Sequence, residues 1–170
     1  MKGTVGMQLR DEDFDNVDPG KPRILVAGEG GWPAQFAGYE TKHYGKWGEK
    51  LIFQWKVFTS IDKSKFETLI RYYNLSRNGG ERFQFGPLHD FRKDWVAANG
   101  GRLPLNPSRL SLSIWKDRTF LVEVVTVRHD SKGKPISPSF YWSRIGQVIR
   151  PLEAGESWER LPLQPLNSAR

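Results

Sequence analysis

The stretch Glu49-Lys50-Leu51-Ile52-Phe53-Gln54-Trp55-Lys56-Val57-Phe58-Thr59 decides the fold. Leu51, Phe53, Trp55 and Val57 fall on one side of a period of two, and Ile52, Gln54, Lys56 and Phe58 on the other. Side chains alternate in this way only along an extended strand, and β-branched and aromatic residues suit its pleated surface. Trp55, flanked by the apolar members of its own face, reads as core. Residues 118–128 (RTFLVEVVTVR) repeat the pattern: Phe120, Val122, Val124 and Thr126 oppose Leu121, Glu123, Val125 and Val127.

Further strands flank these two. Residues 33–44 (PAQFAGYETKHY) form one, ended by the turn Gly45-Lys46-Trp47-Gly48. Before it, Gly28-Glu29-Gly30-Gly31 reads as a flexible hinge. In residues 67–76, Leu69, Arg71, Tyr73 and Leu75 share a face, opposed by Thr68, Ile70, Tyr72 and Asn74. One of Tyr72 and Tyr73 must therefore be core. Residues 140–149 supply the fifth strand. Residues 88–99 are helical, with Leu88, Phe91, Trp95 and Ala98 on one stripe and Gly100-Gly101 as the stop. Arg92, Lys93 and Asp94 read as the helix's solvated face. Pro104 and Pro107 break the following segment, leaving room for one helical turn at Ser108–Leu112.

The order β-β-β-α-β-β predicts an all-β fold with one helix, a five-stranded OB-like (oligonucleotide-binding) barrel with extended N- and C-terminal arms. The domain spans 23–150. Residues 1–22 are an acidic arm, and 151–170 a tail whose Pro151, Pro162 and Pro165 block helix and ladder bonding.

Charge narrows the function. The net is +7, but residues 1–20 carry two basic and five acidic side chains, and residues 151–170 two and three. Residues 21–150 are therefore net +11, from 22 basic and 11 acidic side chains. Such a surface attracts polyanions. With no Cys, disulfides and thiolate metal sites are excluded. No run of 18 apolar residues predicts a membrane helix, and no apolar run before Asp11 predicts a secretory signal. The expectation is a cytoplasmic protein with no membrane partner.

Catalysis finds little support. His43, His89 and His129 are scattered, and no nucleophile-elbow, P-loop or dinucleotide-binding motif is present. Asp90 and Asp94 lie one turn apart but lack a third acid. The chain is therefore expected to be no enzyme, with no cofactor and no metal.

Single-stranded nucleic acid is held by cations along its backbone and by aromatic faces under its bases. The chain interleaves the two kinds: Lys42-His43-Tyr44-Gly45-Lys46-Trp47, Lys56 with Phe58, Arg71-Tyr72-Tyr73, Arg82-Phe83, and Tyr141-Trp142 with Arg144. OB proteins grip ligand across strands 2 and 3 and through loops 1–2 and 4–5. The expected nucleic-acid-binding residues are Tyr44, Lys46, Trp47, Lys56, Arg71, Tyr72, Lys132, Lys134, Trp142 and Arg144. Trp47, between two glycines in a polar turn, is the leading base-stacking aromatic.

The runs Gly38–Lys42, Lys50–Val57, Arg71–Leu75 and Val124–Val127, then Asp130, Lys132-Gly133-Lys134 and Tyr141–Ile149, resemble small proteins of phages, plasmids and integrative elements. Some of these look like OB-type single-stranded DNA-binding proteins. The resemblance covers residues 33–150 and implies a mobile-element origin. The expected partner is single-stranded DNA, or RNA. The alternative is a protein-interaction subunit or inhibitor docking on a larger nucleoprotein complex, with the tail (Leu161, Leu163, Leu166) engaging a protein partner.

Overall fold

A computed structural model describes residues 30–76, 84–106, 109–153 and Glu156. The arm at 1–22, Gly28-Glu29, the Asn78-Gly79-Gly80 loop, Arg82-Phe83 and most of the tail lie outside the described residues.

Five strands form where period two dominates: β1 (Gly30–His43), β2 (Glu49–Phe58), β3 (Phe66–Leu75), β4 (Thr119–Val127) and β5 (Trp142–Pro151). The helix α1 (Asp90–Ala98) falls between β3 and β4. All strand pairs are antiparallel, in the single sheet order β3-β2-β1-β4-β5. The fold is mostly β and compatible with a barrel. The sheet is not closed, and β3 and β5 are its edges.

Two devices curl it. β1 shifts register against β2 between Phe36 and Gly38, and β5 shifts twice against β4. Such bulges bend a strand and increase its twist. Gly146 is the unpaired residue at one shift, because Val124 faces Ile145 while Glu123 faces Gln147. A Cβ there would stand 2.7 Å from Glu123 Oε2 and 3.1 Å from Val125 Cγ1, so a larger residue would have to displace these two β4 side chains.

The expected inner face of β2 is the core. Leu51, Phe53, Trp55 and Val57 are buried with Trp32, Tyr73, Trp115, Phe120 and Val122. Phe53 is the aromatic hub, its ring 5.3 Å from Tyr73, 5.7 Å from Phe91 and 5.7 Å from Trp115, all edge-on. Edge-to-face pairs add ~0.5–1.5 kcal/mol beyond area burial. Phe91, Trp95 and Ala98 seat the helix in this core. Trp95 also donates its indole N–H to the Ser111 carbonyl at 3.0 Å.

Several expectations need correction. β1 begins at Gly30, so Gly30 and Gly31 are strand rather than hinge, and they pair with Val124 and Glu123. On the second face of β2, Ile52, Gln54 and Phe58 are buried too, so the strand is covered on both sides. The helix starts after Leu88, which is 83% exposed. His89 is the cap instead: its Nδ1 accepts the Phe91 N–H at 3.1 Å, filling one of the donors that a helix start leaves open. Of the single turn expected at Ser108–Leu112, Ser108 lies outside the described residues and 109–111 are not helical; a turn forms at Leu112–Trp115 instead, where the Ser111 side chain accepts from the Ser113 N–H. β5 runs on to Pro151, and the Leu152 N–H donates to the Thr119 carbonyl. Among the described residues, no helix is long and apolar enough to cross a membrane.

A candidate nucleic-acid interface at the β3–β5 seam

Tyr72 lies on the outward face of β3, opposite Ile52 of β2, which in turn faces Glu40 of β1. Its phenol is hydrogen-bonded to Tyr44, at the start of the β1–β2 loop. The Trp142 ring, at the first residue of β5, stands edge-on to it at 6.4 Å. Three aromatics from distant parts of the chain therefore meet where the two sheet edges approach. Burial, the Tyr44 phenol and the nearby Glu40 carboxylate push the Tyr72 hydroxyl up to about 12. It stays a neutral hydroxyl across the physiological range.

The β1–β2 loop beside this cluster is ordered by its backbone. Tyr44 N–H donates to the Gly48 carbonyl at 2.8 Å and Trp47 N–H to the Tyr44 carbonyl at 3.0 Å, closing a single 3₁₀ turn. The turn needs left-handed backbone at Gly45 (φ 53°) and Gly48 (φ 74°), which glycine adopts without penalty. It presents Trp47, 56% exposed, with Lys46 Nζ 4.9 Å over its ring. Lys42 Nζ lies 5.6 Å over the Tyr44 ring. Cations and aromatic faces are thus paired along one loop.

The β4–β5 loop leads into Trp142. Asp130 organises it: one carboxylate oxygen accepts the Lys132 N–H at 2.8 Å and the Lys134 N–H at 2.9 Å. Both lysines are exposed. Another 3₁₀ turn, Pro138–Phe140, carries Phe140, 60% exposed and two residues before Trp142. Arg128 stacks 5.9 Å from the Tyr141 ring at the stem.

Arg144, half-buried on β5, senses the Arg71 guanidinium, and burial together with that like charge lowers its pKa. Arg71 itself requires correction as a ligand contact. It lies inside, with Nε donating to Asp94 Oδ2 at 3.0 Å and a guanidinium nitrogen 3.6 Å from Asp90. Burial works against its charge, but Asp94, Tyr73 and Asp90 outweigh burial and hold its pKa above the ordinary arginine value. Its charge already serves these acids. Lys56 shares the outward face but lies four residues along the strand pairing from Tyr72, ~13 Å away, with Nζ 5.0 Å over the exposed Phe66 ring. Tyr44, Tyr72, Trp142 and Arg144 are thus gathered at the seam. Lys46, Trp47, Lys132 and Lys134 sit on loops bordering it, Arg71 is turned inward, and Lys56 stands apart.

Sequence reasoning missed Phe140, whose signal was the Pro138 that starts its turn. It also misread Asp94, which is 2% exposed rather than solvated. The signal was present: Phe91, Asp94, Trp95 and Ala98 follow the i, i+3, i+4, i+7 spacing of one helix face, and an acid inside an apolar stripe demands partners. Among the described residues, no three His, Asp or Glu side chains cluster as a metal site. No family model, curated protein or solved structure matches the chain.

Proposed function

We propose that this protein binds single-stranded nucleic acid, DNA in the first instance, without catalysis and without sequence preference, on an OB-like barrel of a mobile genetic element. The observation that carries the reading is the convergence of Tyr44, Tyr72 and Trp142 at the seam, bordered by Lys46 and Trp47 on one loop and Lys132 and Lys134 on the other. Aromatic faces for bases and nearby cations for phosphates are the two requirements of single-strand binding. The OB assignment draws support from the β-β-β-α-β-β order, from the single curled sheet in which β1 pairs with both β2 and β4, and from a helix that seats Phe91 and Trp95 in the core. Arg144 is assigned to phosphate at the seam, and Lys56 to a more distant nucleotide on the β2–β3 face.

The test is equilibrium binding of labelled oligo-dT, oligo-U and duplex DNA at two salt concentrations. Salt-sensitive binding to the single strands, stronger than to duplex, is expected. No binding to any oligonucleotide at low salt would sink the reading, and a docking face for an acidic protein would replace it.

A further inference from the structure

Asp94 is buried, 2% exposed, and accepts three hydrogen bonds, yet neither base stacking nor phosphate contact uses it. Its Oδ2 accepts from Arg71 Nε at 3.0 Å and from the Tyr73 hydroxyl at 2.8 Å, both on edge strand β3. Its Oδ1 accepts the backbone N–H of Val148 at 3.1 Å, on the opposite edge strand β5. The sheet order puts no ladder between these edges. A buried backbone N–H on an open edge needs a partner, and here a helix carboxylate supplies it. Burial raises the Asp94 pKa against the pull of Arg71, Tyr73 and Val148. With three donors converging on it, the carboxylate is the form these contacts hold.

Apolar contacts of Phe91, Trp95 and Ala98 already attach the helix to the core. The carboxylate adds a tie from one helix position to both edges. On β3, the two residues it holds, Arg71 and Tyr73, flank Tyr72, whose side chain alternation sends to the outward face. On β5, the tied strand begins at Trp142, which meets Tyr72 across the seam. We infer that Asp94 is a positioning residue for the nucleic-acid site: it clamps the two sheet edges so that Tyr72 and Trp142 stand together as one stacking platform. The inference rests on the nucleic-acid reading above.

Removing Asp94 alone leaves Arg71 buried without its carboxylate and threatens folding, whereas replacing both members of a buried ion pair by apolar residues is often tolerated. The test therefore uses the double variant Asp94→Leu with Arg71→Met, in the full chain. The Val148 amide should exchange with solvent at least tenfold faster than in the parent, with no ligand present. Affinity for oligo-dT should fall at least tenfold well below the melting temperature. Tyr72→Ala should weaken binding in the parent but add little in the double variant, because the platform is already lost; such non-additivity marks residues acting as a unit. An unchanged Val148 exchange rate overturns the clamp. A full, additive effect of Tyr72→Ala in the double variant overturns the positioning role, even if the protein binds nucleic acid. Absence of oligonucleotide binding by the parent overturns the nucleic-acid reading instead, and the positioning role with it.

Discussion

At the residue scale, two side chains carry the sharpest expectations. Trp47 is exposed on a backbone-ordered turn and absent from the core cluster. Trp47→Ala should weaken oligo-dT binding by roughly 1–3 kcal/mol, the usual value of one base stack. The melting temperature should barely move, and a large drop would assign Trp47 a structural role. Tyr72 makes the second case. Its folded pKa of about 12 lies above the 10.0 of a free phenol, with burial first among the causes and Tyr44 next. The neutral, bonded phenol therefore contributes stability that is fully present below pH 10 and lost as pH rises toward 12. Tyr44→Phe should lower that pKa only part of the way to 10, since burial remains. A tyrosinate absorbance titration of the two proteins reads the difference.

At the scale of elements, α1 holds the sheet from its open side. Phe91 stands edge-on to Phe53 and Tyr73 at 5.7 and 5.2 Å, and Trp95 ties the helix to Ser111. Truncating either Phe91 or Trp95 to Ala should cost ~3–5 kcal/mol of stability in chemical denaturation. A loss below ~1 kcal/mol would mean that the helix does not fill the end of the curled sheet. Most of the elements were legible. β2, β4 and the helix interior follow simple periods, and the observed strands lie within a few residues of the expected ones. Trp32 and Trp115 were not legible as core. Trp32 precedes Pro33 and follows a run of glycines, Trp115 precedes the Lys116-Asp117 turn, and their burial comes from neighbours distant in sequence, Trp32 pairing with Val122.

For the whole molecule, the basic middle of the chain predicts how affinity depends on salt. Each neutralised phosphate of a single strand steepens the fall of log K with log salt by about 0.7. Three to five contacts drawn from Lys46, Lys56, Lys132, Lys134 and Arg144 give a slope between about −2 and −3.5. Changing Lys132 and Lys134 together should flatten the slope by about 1.4 with little change in base preference. Deleting residues 1–20, net −3, should tighten binding by removing acids that compete for the same cations. Binding measured from low to moderate salt checks all three outcomes.

The sequence by itself determined the strands, the helix, the net positive charge and the residue types of the candidate site, because periodicity, turn glycines and charge are local properties. Pairing was decided by tertiary structure. No local signal joins Tyr44, Tyr72 and Trp142; they meet because bulges curl the sheet until its edges approach. Arg71, too, found its partner only in the fold. Its alternation with Leu69 and Tyr73 placed it on the core side, and the fold brought Asp94 to meet it there. A charge on that side is stable only with such a partner, and which acid supplies it depends on how the helix is seated, which no strand or helix pattern encodes.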